Sequence, residues 1–253
     1  MNVALKWLNL SREDLDGIVP TVQHVVLMPS LSYTFDDVMW GYTSPVDGMR
    51  YSLTLNASPK LGSDGLFFYG LDLDYRHYIR FWRDYSFAFR FAGGGSFGPN
   101  AQRYALGGVA NWITISPIYL IGNDQDYAFL TLAMPMRGYG FGAEIGTKYM
   151  LTNVEFRYPL IKQFATGLLP FNFNNILGTV FFDAGTAWNS NADFRGTTRD
   201  DQGLIVTRDI LFGTGLGARM YFLFFLLKFD VAWAYNLQGF STPQYYFSLG
   251  EDF

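Results

Sequence analysis

The chain has no cysteine among its 253 residues. That excludes disulfides and thiolate metal sites while leaving the compartment open. Its two histidines, His24 and His77, stand far apart, so a zinc site has few ligands to draw on. Charged residues make up only 16%, and a net charge of −4 offers no basic footprint for nucleic acid. No stretch approaches the roughly 18–20 apolar residues of a membrane-spanning helix. The greasiest run, Met220 to Leu227, stops at Lys228. The start, MNVALKWLNLSREDLDG, lacks a basic opening, a long apolar centre and a small-residue cleavage site, so it is not a signal peptide. The chain therefore reads as a mature form or as the C-terminal part of something longer.

What is present in excess is aromatic: 19% of the chain, with 25 Phe and 17 Tyr. These residues fall on alternate positions. From Phe67 to Trp82 one parity carries Asp72, Asp74, Arg76, Tyr78 and Arg80; the other carries Phe67, Tyr69, Leu71, Leu73, Tyr75, Ile79 and Phe81, with His77 its polar exception. A period of two sends the sets to opposite faces of a strand. A soluble sandwich buries its apolar face, whereas a transmembrane barrel turns that face to lipid and encloses the charges. A soluble lipocalin-like binder is disfavoured by the extent of the aromatic face, which suits the girdles of a membrane barrel.

Strands are expected near 2–9, 21–36, 49–59, 66–82, 85–98, 142–161, 174–189, 208–222, 224–236 and 244–253, ten in all. Alternation repeats in most: Val154, Phe156, Tyr158 and Leu160 oppose Asn153, Glu155 and Arg157, and Leu227, Phe229, Val231, Trp233 and Tyr235 oppose Lys228, Asp230, Ala232 and Asn236. Short connections at Pro45-Val46-Asp47-Gly48, Arg83-Asp84 and near Phe222 alternate with long polar ones at 9–20, 59–65, 99–141, 190–207 and 237–243. Long loops on one side and short turns on the other is the habit of bacterial outer-membrane barrels, with the long loops outside. The C-terminus then lies in the periplasm, and residues 1–253 form one domain.

Among possible chemical motifs, Gly94-Gly95-Ser96-Phe97-Gly98 fits the serine-hydrolase pattern, but both histidines precede the serine, against the required order. No catalytic residue and no cofactor is expected. Asp72/Asp74 and Asp124/Asp126 read as solvated charge rather than as calcium ligands, lacking further oxygen ligands at fixed spacing. Gly213, Gly215 and Gly217 share a face with Arg219; they mark either close approach of another backbone or strand bending at a barrel corner. Met136-Arg137-Gly138-Tyr139-Gly140-Phe141-Gly142 ends a loop of about forty residues, long enough to be functional or disordered. Its Trp112, Ile113, Ile118, Tyr119, Phe129, Leu130 and Leu132 are too apolar for disorder, so loop 99–141 is expected to pack inside the lumen.

In order, Leu106-Gly107-Gly108, Arg137-Gly138-Tyr139, Asn153-Val154-Glu155-Phe156, Phe181-Phe182-Asp183-Ala184-Gly185-Thr186-Ala187-Trp188 and the terminal Phe253 resemble the C-terminal barrel of the Omp85 superfamily, the bacterial surface antigen type. Tyr33-Thr34-Phe35-Asp36 and Pro45-Val46-Asp47-Gly48 match the approach to one of its periplasmic turns, and the likeness covers about residues 21–253. The family includes the assembly factor BamA, its relative TamA and the two-partner-secretion transporters. The resemblance implies a 16-stranded barrel behind periplasmic POTRA domains, whose sixth loop tucks into the lumen and bonds through its arginine to acidic wall groups. Carried over, Arg137, Gly138 and Tyr139 are the loop motif, Glu155 and Asp183 the wall partners, and the three glycines a smooth wall for the loop. Met136 stands where valine is usual, and the gap from Gly108 to Arg137 is longer than in BamA. No POTRA sequence is present.

The implied function is assembly or translocation of proteins at the bacterial outer membrane, without covalent catalysis. It would act through a weak seam between first and last strands, where an unpaired edge templates a client strand. Expected partners are the lipid bilayer, client outer-membrane or secreted proteins, and accessory subunits. Phe247, Leu249 and Phe253 on the last strand are the candidate seam and C-terminal signal, sharing a parity with Tyr245. A passive channel, or a structural subunit of a larger outer-membrane complex, is the alternative.

Overall fold

The computed structural model describes residues 2–11, 23–62, 65–109, 130–133, 135–165, 172–222 and 224–250. They form β1 (Asn2–Ser11), β2 (Gln23–Asp36), β3 (Met39–Trp40), β4 (Pro45–Ser58), β5 (Phe68–Trp82), β6 (Tyr85–Phe97), β7 (Arg103–Leu106), β8 (Leu130–Ala133), β9 (Glu144–Gly146), β10 (Lys148–Ala165), β11 (Asn172–Trp188), β12 (Thr197–Arg199), β13 (Ile205–Thr207), β14 (Leu211–Phe222), β15 (Phe225–Tyr235) and β16 (Gln244–Leu249). No helix of the described residues is long and apolar enough to cross a membrane.

One antiparallel sheet runs in the order β1-β2-β4-β5-β6-β10-β11-β14-β15-β16, with β3 paired to β4 at one side. These ten path strands are the ten expected, shifted at their ends by a few residues. Most of the path strands exceed the roughly 9–11 residues that cross a bilayer, β5 having 15 and β10 having 18. Among the described residues the sheet is not closed: β1 and β16 are the two ends of the order.

The two faces differ as the alternation requires. Tyr69, Leu71, Ile79, Phe81, Phe87, Phe89, Val180, Phe182, Leu216, Phe229 and Phe247 are exposed on one face. Asn153, Glu155, Arg157, Thr179, Asp183, Arg219 and Asp230 are buried on the other. Rings on the outer face pack across strands, as Phe81 does with Phe87 at 5.4 Å and Phe156 at 6.1 Å. Such cross-strand pairs stabilise a sheet and give it a continuous apolar surface.

Two features depart from the sequence reading. Pro45 to Gly48, expected as a turn, already belong to β4; the chain reverses at 41–44, where Gly41 donates to the Ser44 carbonyl. The reversal is shifted because Asp37 clamps the strand beyond it, donating from its backbone to the Met49 carbonyl and accepting the Met49 N–H on its carboxylate. The long loop also carries structure of its own: β7 pairs in parallel with β8 and antiparallel with β9. Residues 110–129, with most of the loop's expected apolar set and Asp124/Asp126, lie outside the described residues, as does Phe253.

Candidate functional site

The small loop sheet sits on the inner face. Leu106, Ala133 and Met136 from the loop form one buried apolar cluster with Ala92 of β6, Leu151 of β10, Ala187 of β11 and Leu211 of β14. Tyr104 of β7 packs its ring 4.6 Å from that of Tyr149, and its hydroxyl donates to Asp72 at 3.2 Å. Asp74 is not solvated charge: its carboxylate takes donors from Arg76 at 2.9 Å and Arg90 at 2.7 Å. Ser96 of the hydrolase-like pattern is buried and uses its Oγ to accept the Gln102 N–H.

Beyond the apolar cluster the loop delivers Arg137 to a buried charged group. Arg137, Glu155, Arg157 and Asp183 are each no more than 1% exposed. Arg137 Nε and Nη2 donate to the two oxygens of Asp183, both at 2.7 Å, and Nη1 donates to Glu155 Oε1 at 2.6 Å. Its backbone N–H also reaches Asp183 Oδ2 at 3.0 Å. The guanidinium lies 3.5 Å above the Phe181 ring, a cation–π contact that adds to the ion pairs. A planar fork can address two carboxylates in this way; an ammonium cannot. Burial alone would lower the pKa of Arg137, but the charges of Asp183 and Glu155 outweigh it and hold the group well above its ordinary value.

The flanking residues are fitted to the wall. Gly138 has φ +92°, a left-handed conformation that favours glycine, and a Cβ there would meet Trp233 and Ala234 backbone at 2.8 Å. Its N–H donates to the Tyr246 hydroxyl at 2.9 Å, and the same oxygen is 3.0 Å from the Tyr139 carbonyl. The Tyr139 hydroxyl donates to the Phe212 carbonyl at 3.2 Å. The three glycines have separate roles. A Cβ on Gly213 would run into the Arg137 carbonyl, so this glycine admits the loop backbone; Gly215 leaves room for the Phe181 ring; Gly217 makes space for Asp230 and Thr179. Only the first receives the loop directly.

Five residues that sequence reasoning left without a role complete the group. Asn153 Nδ2 donates to Asp183 at 2.8 Å and to the Pro135 carbonyl at 2.9 Å. Arg157 donates to Glu155 Oε2 from Nε at 3.0 Å and Nη2 at 2.9 Å. Arg219 pairs with Asp230 at 2.7 Å and lies 4.0 Å from Glu155. Tyr246 is the fifth, on β16 beside the loop motif. Asn153 and Arg157 share a parity with Glu155, a signal that places them on the inner face without naming their partners. Phe247 and Leu249 lie on β16, paired with Phe229 and Leu227 of β15, and Phe247 is exposed on the outer face.

The chain resembles BamA from Haemophilus ducreyi, solved without POTRA domains 1–3, at 14% identity and a TM-score of 0.58. That likeness covers 91% of this chain but 44% of the solved one, so the chain spans less than half of that relative's length. No match is found among curated proteins. The Omp85 superfamily domain matches residues 30–253, nearly the whole chain. With its ten-strand antiparallel sheet and apolar outer face, the chain belongs to the Omp85 superfamily of outer-membrane β-barrels.

Proposed function

We propose that this chain forms the barrel wall of an outer-membrane factor that inserts or translocates proteins, with the loop around Arg137 as a plug latched to that wall. The observation that carries the reading is the charged group itself. Arg137 is buried between Asp183 and Glu155 where the loop's small sheet covers the inner face. A passive pore benefits from an open, hydrated lumen; a buried ion-paired latch costs desolvation and gives the loop one defined position. The factor works without covalent chemistry, by offering a strand edge to a client. β16, six residues long and last in the sheet order, is the candidate seam, with Phe247, Leu249 and Phe253 as the segment read during the protein's own insertion. The long loops lie outside the cell, and the C-terminus is periplasmic. Clients and accessory subunits bind from that side.

The test uses the full-length protein in liposomes. Folding of an outer-membrane client, followed by its resistance to protease, should rise severalfold over empty liposomes, while single-channel conductance stays near baseline until the loop is released. Steady large conductance with no effect on clients would favour the passive-channel reading instead.

A further inference from the structure

The latch has a second side. Glu155 is shared: Oε1 takes the loop's Arg137, while Oε2 takes Arg157. Arg157 then spends its Nη1 on the carbonyl of Pro45, at 3.0 Å. Pro45 opens β4, whereas Arg157 lies on β10, three steps along the sheet order. Neighbouring strands are about 4.8 Å apart, so three steps in a flat sheet would be about 14 Å. The contact therefore spans the interior rather than following the wall.

The chain reversal before Pro45 is folded inward with it. Thr43, Ser44 and Pro45 are buried, which is unusual for a connection between strands. Tyr42 meets Tyr221 near the far end of β14 edge-on, with ring centroids 5.6 Å apart. This reversal is at the short-turn end of the sheet and the Arg137 loop at the long-loop end, since β2 runs into the first and β6 into the second. Two segments entering from opposite ends thus meet on one carboxylate–guanidinium pair.

We infer that Glu155 and Arg157 couple the two, so that the turn at 41–45 and the Arg137 loop open and close together. Arg157 is a positioning residue here. With the turn in place its fork is held toward Glu155, which in turn presents Oε1 to Arg137. When the turn moves away, Arg157 loses a buried acceptor and its hold on Glu155 loosens, and the latch weakens with it. Linkage makes the effect reciprocal: releasing the loop loosens the turn by the same factor.

The absence of cysteine makes the test clean. Loop opening is read from thiol labelling of Met136→Cys, a site fully buried in the closed state. The turn is read from spin labels at Tyr42→Cys and Tyr221→Cys. Two variants disturb the turn without touching the charged group: Gly41→Ala, whose Cβ would meet Val46 at 2.6 Å, and Gly48→Ala, strained at φ +92°. The inference rests on the loop acting as a releasable plug, so Arg137→Ala comes first; if it leaves Met136→Cys labelling unchanged, that reading fails and the coupling with it. If Arg137→Ala opens the loop, coupling predicts that it also broadens the Tyr42–Tyr221 distance distribution, and that either turn variant speeds labelling by at least about fivefold. Arg157→Lys, which keeps the charge but not the fork, should abolish the extra effect of the turn variants. A loop that opens while the turn distance stays fixed, with turn variants that leave labelling unchanged, would overturn the coupling. Should a turn variant fail to fold, the distance measurement in Arg137→Ala decides alone.

Discussion

Removing the Arg137 side chain should release the loop by a calculable amount. In Arg137→Ala, Glu155 keeps both donors from Arg157, but Asp183 retains only the Asn153 amide among the side-chain donors described for it. The variant therefore leaves one buried carboxylate without its counter-charge. With both partners essentially inaccessible to solvent, screening is weak, and the penalty belongs to the buried class, about 3–5 kcal/mol rather than the fraction of a kcal/mol of an exposed pair. At about 1.4 kcal/mol per factor of ten, the closed-to-open ratio should fall by roughly 10²–10⁴. The backbone amides of residues 137 and 138 report this directly, since both are bonded to wall groups, Asp183 and Tyr246. Their hydrogen exchange should accelerate by that factor while the amides of β10 and β11 remain protected. Asp183→Ala alone should release the loop too, but the double variant should be far less affected than the sum, because the unpaired carboxylate is gone. Exchange within about threefold of the parent in Arg137→Ala, or strict additivity in the cycle, would refute the latch.

Three further outcomes are expected. Leu53→Arg, on the exposed apolar face, should cost about 2–4 kcal/mol of folding stability in bilayers if near the midplane, and Ser52→Arg, paired with Asp74 across the strands, much less; urea titration in vesicles measures both. Gly213→Ala should destabilise loop docking by about 1–3 kcal/mol, seen as faster exchange at the same two amides, whereas Gly239→Ala, with open space around it, should not. Deleting Phe253 should reduce insertion in cells more than folding into detergent; an equal loss in both would make it a plain interfacial anchor.

The path of the sheet could be read from alternation because most of its strands carry their own two-face signal, repeated over at least three side chains per face. The loop sheet could not. β7 and β8 are four residues each, too short to show a period of two, and their parallel pairing joins segments far apart in sequence. Likewise Asn153 and Arg157 show their face but not their partners. Those of Asn153 come from the long loop and the next strand, and one of Arg157's is a turn more than a hundred residues earlier, at Pro45. The glycine stripe looks uniform in sequence, yet its members make room for three different things, a backbone, an aromatic ring and a carboxylate. The pairing of Asp74 is not legible in sequence because Arg90, one of its two arginines, stands on the neighbouring strand β6.

The balance of charge in the buried group has a further consequence for ions. With the loop in place, three guanidiniums, Arg137, Arg157 and Arg219, stand against three carboxylates, Glu155, Asp183 and Asp230, and their formal charges cancel. The wall by itself holds two guanidiniums against three carboxylates. If Arg137 withdraws as proposed, the site it vacates would hold a local excess of one negative charge, buried enough for field lines to be poorly screened. Small cations should then be drawn in preferentially, so reversal potentials recorded during opening would carry the sign of cation selectivity, and restoring a positive side chain at residue 137 would remove it.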